Sequence, residues 1–386
     1  MRDIELPFSL KSTLQDFTRD LTAAAITDEL EPVRCRDSEI DRVITTLLRQ
    51  SKNNPVLVGE AGVGKTAVVE GLAQRVSAGS VPISLKPVRI LSLSHIDLIA
   101  GTSFRGQYEK RLQAVINEAT SDPNVILFID EMHNLIGAGS AIGAPMDAAN
   151  MLKPALASGQ LRVIGATTEI EYERFIRSDA ALERRFQPVL IRELGRDESL
   201  EVLRARRTRL ETHHLVAISD EALDAAVDLS ARYLPDRRQP DRSIDLLDES
   251  CARLRMTQPV ELPPGIIELK AERDRLIIVK RELIKEMLLV ADAKGNPLER
   301  FSRGTFKMLE AMGLGVEKIL TGQTTPRRPL PVPDSVKRVQ ERDPAGQLAH
   351  LHYELLRVED ALKQLLTKDG VVINRVHIEA TINSNA

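Results

Sequence analysis

The stretch "GEAGVGKT", residues 59–66, sets two glycines, a lysine and a threonine at the spacing Gly-x-x-x-x-Gly-Lys-Thr. An apolar run precedes it and a segment of helical character comes after. In that context glycines let backbone N–H groups close around phosphate oxygens, and the start of a helix adds partial positive charge. Gly59, Glu60, Ala61, Gly62, Val63 and Gly64 supply the cradle, Lys65 reaches the outer phosphates of a nucleoside triphosphate, and Thr66 ligates Mg²⁺. Phosphoryl transfer to water also needs acids at the end of a buried strand, and "VILFIDE" has them. Asp130 is expected in the magnesium shell, with Glu131 polarising the attacking water. His133 stands nearby without ligating partners and is read as structural.

These residues need a scaffold, and the first half of the chain alternates the signals for one. Short β-rich runs occupy residues 55–58, 88–93, 125–129, 161–166 and 188–191, with helical periodicity at 108–119 and 147–156 between them. Strands alternating with helices predict an α/β domain, a parallel sheet covered on both faces, over residues 37–194. Beyond it the strands stop. Residues 197–211, 219–232 and 241–256 each read as a helix, with Ser219 an N-cap and Pro240 ahead of the third start. A proline-rich break at 257–265 comes next. Leu269, Leu276, Leu283 and Val290 then recur every seven residues, and Leu351, Leu355, Val358, Leu362 and Leu365 follow a 4-3-4-3 pattern. Two readings fit: a coiled-coil hairpin, or two ordinary helices packed on the body. The proline-bearing stretch 324–335 between them reads as irregular.

The 386 residues suffice for two or three cored units, and 42% apolar with 28% charged residues is ordinary for a globular protein. A formal charge of -3 gives no general pull toward nucleic acid or membrane. No apolar run is long enough to span a bilayer, and the first ten residues hold no signal-type apolar stretch. Cys35 and Cys251 make neither a disulfide framework nor a zinc spacing. The expected location is the cytoplasm.

Together "GEAGVGKT", "LFIDEMH", "IGATT" and "DAALERRFQPV" resemble the first ATPase module of Clp-type AAA+ unfoldases, the ClpA, ClpB and ClpC group. The likeness is close over residues 14–256, weaker to 290, and returns at "VVINRVHIEA", which is similar to the segment joining a first module to a second. The resemblance implies a five-stranded parallel P-loop domain at 31–195 after an N-terminal linker at 1–30. A helical lid at 196–257 and a helical, coiled-coil-like middle region and tail at 258–386 complete it. ATP and Mg²⁺ are the implied cofactors. Thr168 matches the polar sensor of the γ-phosphate, with Thr167 the second choice, and Arg184 and Arg185 match arginine fingers that enter a neighbouring subunit's site. Such fingers contribute about 10³–10⁵ in rate, so a homo-oligomeric ring, a hexamer, is implied. Val33 matches the residue that packs on the base, while Arg34 and Cys35 replace an apolar residue and a glycine of the family pattern. Arg242 stands where lysine is common.

"TSFRGQYEKRL" aligns with a pore loop in which Phe104 takes the place of a tyrosine and is followed by Arg105 and Gly106. In a ring the aromatic would grip a threaded polypeptide, worth up to about 1.5–3 kcal/mol per fully buried ring. A second pore loop is expected in residues 137–150, with Pro145 and Ile142 as departures. The implied function is ATP-driven unfolding or remodelling of polypeptides. Two other classes stay open. A non-threading or regulatory subunit fits the expected absence of a second P-loop and of an N-terminal adaptor domain. A DNA-acting AAA+ ATPase would use the basic stretch "LRARRTRL", residues 203–210, although arginines on such a helix with acids nearby are ordinarily a solvated face.

Overall fold

A computed structural model of the chain describes residues 13–101, 105–137, 148–257, 263–292, 344–369 and 371–385. They fall into two compact units, one within residues 1–22, 42–58 and 88–190, the other within 23–41, 59–87 and 191–386.

The first unit is built on a six-stranded sheet ordered β1-β3-β4-β5-β2-β6. Its strands are β1 (Thr18–Asp20), β2 (Asn54–Val58), β3 (Arg89–Leu93), β4 (Val125–Ile129), β5 (Val163–Thr167) and β6 (Phe186–Leu190). Strands β2 to β6 pair in parallel, as expected. Every residue of β2, β4 and β5 is buried, so burial along each is continuous rather than alternating. Helices α1 (Thr13–Phe17), α2 (Arg105–Ser121), α3 (Met132–Gly137) and α4 (Ala148–Ser158) accompany the sheet. Leu112, Val115 and Ile116 of α2, and Leu152 and Leu156 of α4, join Val56, Leu127 and Val163 in one apolar core.

The sixth strand is a finding the alternating pattern does not contain. β1 pairs antiparallel with β3, Thr18 opposite Leu93 and Asp20 opposite Leu91. Its three residues carry no hydrophobic period; neighbours hold it instead. Arg89 Nε donates to Asp20 Oδ2 at 3.1 Å, and the Ile90 amide donates to the Thr22 hydroxyl at 2.9 Å.

The second unit contains α5 (Lys65–Ser77), α6 (Arg196–His214), α7 (Asp220–Tyr233) and α8 (Asp241–Thr257). Ser219 caps α7, its hydroxyl accepting from the Ala222 amide. Helices α6 to α8 share a core of Leu203, Leu223, Val227, Leu247 and the buried Cys251. The C-terminal segment enters the same core: β7 (Ala217–Ile218) pairs in parallel with β8 (Val372–Ile373), and Ile378 and Ile382 of the last helix pack beside Leu223. That helix (Arg375–Asn385) comes after α9 (Pro264–Asp292) and α10 (Pro344–Asp369), and is α11.

Helices α9 and α10 lie side by side and antiparallel. Leu365 approaches Gly265 near one end, and Arg273 Nε donates to Glu359 Oε1 at 3.2 Å further along. Ile266, Lys280 and Ile284 are the buried residues of α9 among those whose side chains are described, whereas the heptad leucines Leu269, Leu276 and Leu283 are only partly buried. On α10, Leu355, Val358 and Leu362 of the predicted pattern are buried, while Leu351 and Leu365 are only partly so. The seam of α9 is shifted because it includes charged residues that an apolar pattern passes over. Lys280 reaches Asp28 at 3.5 Å and Arg273 pairs with Glu359. Burial pushes the Glu359 carboxyl up against the pull of Arg273, and burial with Lys280 pushes His352 down to about 4.

Candidate functional site

In the second unit, residues 59–64 lead into α5. Gly62 and Gly64 take φ of 80° and 90°, left-handed values that side chains other than glycine adopt only with strain. Lys65 is the first residue of α5, and its Nζ donates to the carbonyls of Gly59 and Glu60, each at 2.9 Å. The ammonium is therefore held over the cradle. Val33 packs at 3.1 Å on the position a Cβ of Gly71 would take, which seats residues 31–36 on α5. Asp241, opening α8, has its carboxylate 3.2 Å from the corresponding position on Gly62. Burial, then Asp245, raises its pKa against Arg237 and Arg206.

The family-pattern departures at Arg34 and Cys35 have a structural account. Cys35 sits at φ 57°, in the conformation glycine would adopt freely. Its thiol donates to Glu201 Oε2 at 3.3 Å, and burial together with that carboxylate pushes it up to about 12. Burial lowers the Arg34 pKa, opposed by Glu201.

In the first unit, Ile129 of β4 stands opposite Gly165 of β5, and Val58 of β2 opposite Thr167. β2 and β5 thus end level with each other, and β4 ends two residues earlier, opposite Gly165. Past those ends the chain runs on into Asp130–Glu131 after β4, Thr168 after β5 and the glycine-rich loop after β2. Glu131 is exposed at φ 45°, a strained value for its type that is typical of functional positions. Asn134 Nδ2 donates to its carboxylate at 2.8 Å, and the Glu131 amide donates to Asp130 Oδ1 at 2.9 Å.

His133 and Glu171 were not legible as site residues, yet they organise this end of the sheet. Glu171 Oε2 accepts from the Thr168 hydroxyl at 2.7 Å, from the Thr168 amide at 3.2 Å and from the Thr167 hydroxyl at 3.2 Å. His133 Nδ1 lies 2.9 Å from the same oxygen. Thr168 in turn caps the single helical turn Glu169–Glu171, forming a reciprocal capping box. Burial works against the charge of Glu171, but Thr168, His133 and Thr167 outweigh it and hold the carboxyl below its ordinary range. The signal available in sequence was the Thr-x-x-Glu spacing; the histidine's part was visible only in space.

Arg184 is exposed and Arg185 half-exposed, just past the short helix Ala180–Glu183, which Asp179 caps. Neither forms an ion pair among the described residues; nearby, Lys153 pairs with Asp179 and Arg177 with Glu173. In the basic stretch of α6, Arg207 pairs with Glu211 and Asp220, and Arg209 with Glu31, so two of its cations already face acids. Arg242 pairs with Glu193 at 3.0 Å. Phe104 and most of the second pore-loop stretch lie outside the described residues, and of Arg105 only the backbone, opening α2, is described. Gly106 is next in the helix, with open space among the described residues where a Cβ would stand.

A model of the ATPase family associated with various cellular activities (AAA) matches residues 55–194, and an AAA lid domain matches 195–295. The chaperone protein ClpB of Rhizobium meliloti is 53% identical over 271 residues, 68% of this chain and 31% of that protein. The ClpB of Mesorhizobium japonicum is 45% identical over 367 residues, 92% and 42% of the respective chains. The chain belongs to the Clp-type AAA+ ATPases. A ClpC/MecB of Bacillus subtilis is 50% identical over 264 residues, 68% of this AAA+ chain and 32% of that protein. Among solved structures, Hsp104 with ATPγS and casein has a TM-score of 0.60 at 36% identity, covering 78% of this chain and 55% of that one. The chain thus spans about a third to two fifths of the curated relatives it matches. Among the described residues no helix is long and apolar enough to cross a membrane.

Proposed function

We propose that this chain is an ATP-hydrolysing protein-remodelling subunit that works in a homo-oligomeric ring, six copies in the cytoplasm, and draws polypeptides through the pore. The observation that carries the reading is the row of parallel strand ends leading into Asp130–Glu131, Thr168 and the glycine-rich loop. Residues 59–64 would bind the phosphates through backbone amides, Lys65 would meet the outer phosphates, and Val33 would face the base. The Thr66 hydroxyl and Asp130 carboxylate are hard oxygen donors of the kind Mg²⁺ takes. When bound, the metal and triphosphate supply an activated phosphoryl group. Glu131, kept in place by Asn134, polarises water. Thr168 can sense phosphate only by turning its hydroxyl away from Glu171. Arg184 and Arg185, which form no ion pair among the described residues, are the residues to reach a neighbouring copy. Residues 31–195 and 196–257 are taken as core and lid, 1–30 as linker, and 258–386 as the helical middle region and tail. Phe104, with Arg105 and Gly106, is assigned to the substrate grip.

Relatives named chaperone, and an Hsp104 solved with casein, favour polypeptide as the cargo. The pairing of Arg207 and Arg209 with acids weighs against DNA. The test is Glu131→Gln. All phosphate and metal ligands remain, so ATP binding should persist while hydrolysis falls at least about 100-fold, the lower bound for a general base. Loss of binding, or retained turnover, would overturn the assignment. Phe104→Ala should leave basal hydrolysis intact and abolish substrate unfolding.

A further inference from the structure

The buried cation nearest the glycine-rich loop is Arg36, only 3% exposed. A buried charge is tolerated only when its donors are satisfied, and here each contact has a direction. Nη2 donates to the Val63 carbonyl at 2.5 Å and to the Arg192 carbonyl at 2.9 Å; Nη1 donates to Glu39 Oε1 at 3.0 Å. Ser38 donates to the other Glu39 oxygen at 2.8 Å, which steadies the counter-ion. The planar guanidinium fork feeds two carbonyls and a carboxylate at once, a geometry an ammonium does not reproduce.

We infer that Arg36 is a positioning residue for the phosphate cradle: by holding the Val63 carbonyl it points the Gly64 amide at the bound nucleotide. In a planar trans peptide the carbonyl of one residue and the N–H of the next point in opposite directions. The carbonyl of Val63 is fixed toward the protein interior, so the N–H of Gly64 faces the other way. Gly64, at φ 90° and with no Cβ, is where the chain could most easily rotate that peptide. A rotated peptide would present a carbonyl lone pair to a phosphate in place of a donor. Arg36 prevents the rotation. The same Nη2 holds Arg192, in the segment between β6 and the start of α6, so one guanidinium ties the cradle to the chain entering the lid. Arg36 stands at the arginine of the family stretch in which Arg34 and Cys35 are the departures, but that pattern says nothing of its contact with Val63.

The inference rests on the reading of residues 59–66 as a nucleotide loop, and the experiment separates the two. The 386-residue chain, its Lys65→Ala variant and its Arg36→Met and Arg36→Lys variants are titrated with a fluorescent Mg-ADP analogue, reading Kd and stoichiometry separately. Methionine keeps the length and packing of the stem and removes every donor. Losing a charged hydrogen bond that orients one phosphate donor should raise Kd about 10- to 100-fold at unchanged stoichiometry. Arg36→Lys, which keeps the charge but not the fork, should fall between wild type and Arg36→Met. In hydrolysis the same loss should appear as a raised KM with kcat little changed, because the amide meets the phosphates in ground and transition states alike. A strut that only supports the fold would give fewer binding-competent molecules at an unchanged Kd, and that result in both variants overturns the assignment. If wild type binds no nucleotide, or Lys65→Ala binds as tightly as wild type, the loop reading fails and this inference falls with it.

Discussion

Replacing Glu171 by glutamine tests the acid that gathers Thr167, Thr168 and His133. Its Oε2 has two short partners, the Thr168 hydroxyl at 2.7 Å and His133 Nδ1 at 2.9 Å, and two longer ones at 3.2 Å. A hydrogen bond to a charged group is worth about 1 kcal/mol more than a neutral one. Neutralising the acceptor of the two short bonds should therefore cost about 2 kcal/mol. For a unit of this size that is about 4–8 °C in Tm. The pH dependence gives the sharper signature. The folded pKa of Glu171 is depressed, so its contribution is complete above the unfolded carboxylate value and disappears as pH falls through the folded one. Calorimetric melts of wild type and Glu171→Gln should differ by this margin near pH 7, with the gap closing as pH falls below the ordinary carboxylate range. Equal melts at neutral pH, or a gap that survives acidification, would refute the view that a charged Glu171 organises this end of the sheet.

Four further outcomes are expected. Cys35→Gly should stabilise the chain by about 0.5–1 kcal/mol in chemical denaturation, because it relieves a left-handed residue at φ 57°; a loss would show that the bond to Glu201 outweighs the strain. Ser219→Ala removes the acceptor of the Ala222 amide and should cost about 1 kcal/mol, with Ser219→Asp restoring it. His352 is held near 4, so its neutral form favours folding and stability should decline as pH drops from about 6.5 toward 4; His352→Gln should flatten that decline in urea melts. Gly165→Ala would set a Cβ 2.5 Å from Met132 Sδ, directly after Glu131, and should destabilise by about 1–3 kcal/mol while reducing ATPase rate. Unchanged turnover would show that Met132 moves aside freely.

The fold class was legible in the sequence, and the candidate chemistry was read there too, because both rest on local rules. The glycine-lysine-threonine spacing, the acids after five apolar residues and the alternation of strands with helices depend on neighbours along the chain. Ser219 was recognisable as a cap for the same reason. The shifted seam of α9 was not, since Arg273 and Lys280 enter it through partners, Glu359 and Asp28, that are remote in sequence. β1 was missed likewise: its place comes from Leu91, Leu93 and Arg89, not from a period of its own.

The sequence by itself therefore named the candidates for phosphate binding and water activation, as backbone freedom and side-chain type are set residue by residue. Tertiary structure alone decided how those residues are held. A buried guanidinium from Arg36 reaches Val63, 27 positions on, and His133 reaches Glu171, 38 positions on, by simple subtraction of their numbers. Hydrogen bonds are directional and short, so only folding can bring such partners within about 3 Å of each other.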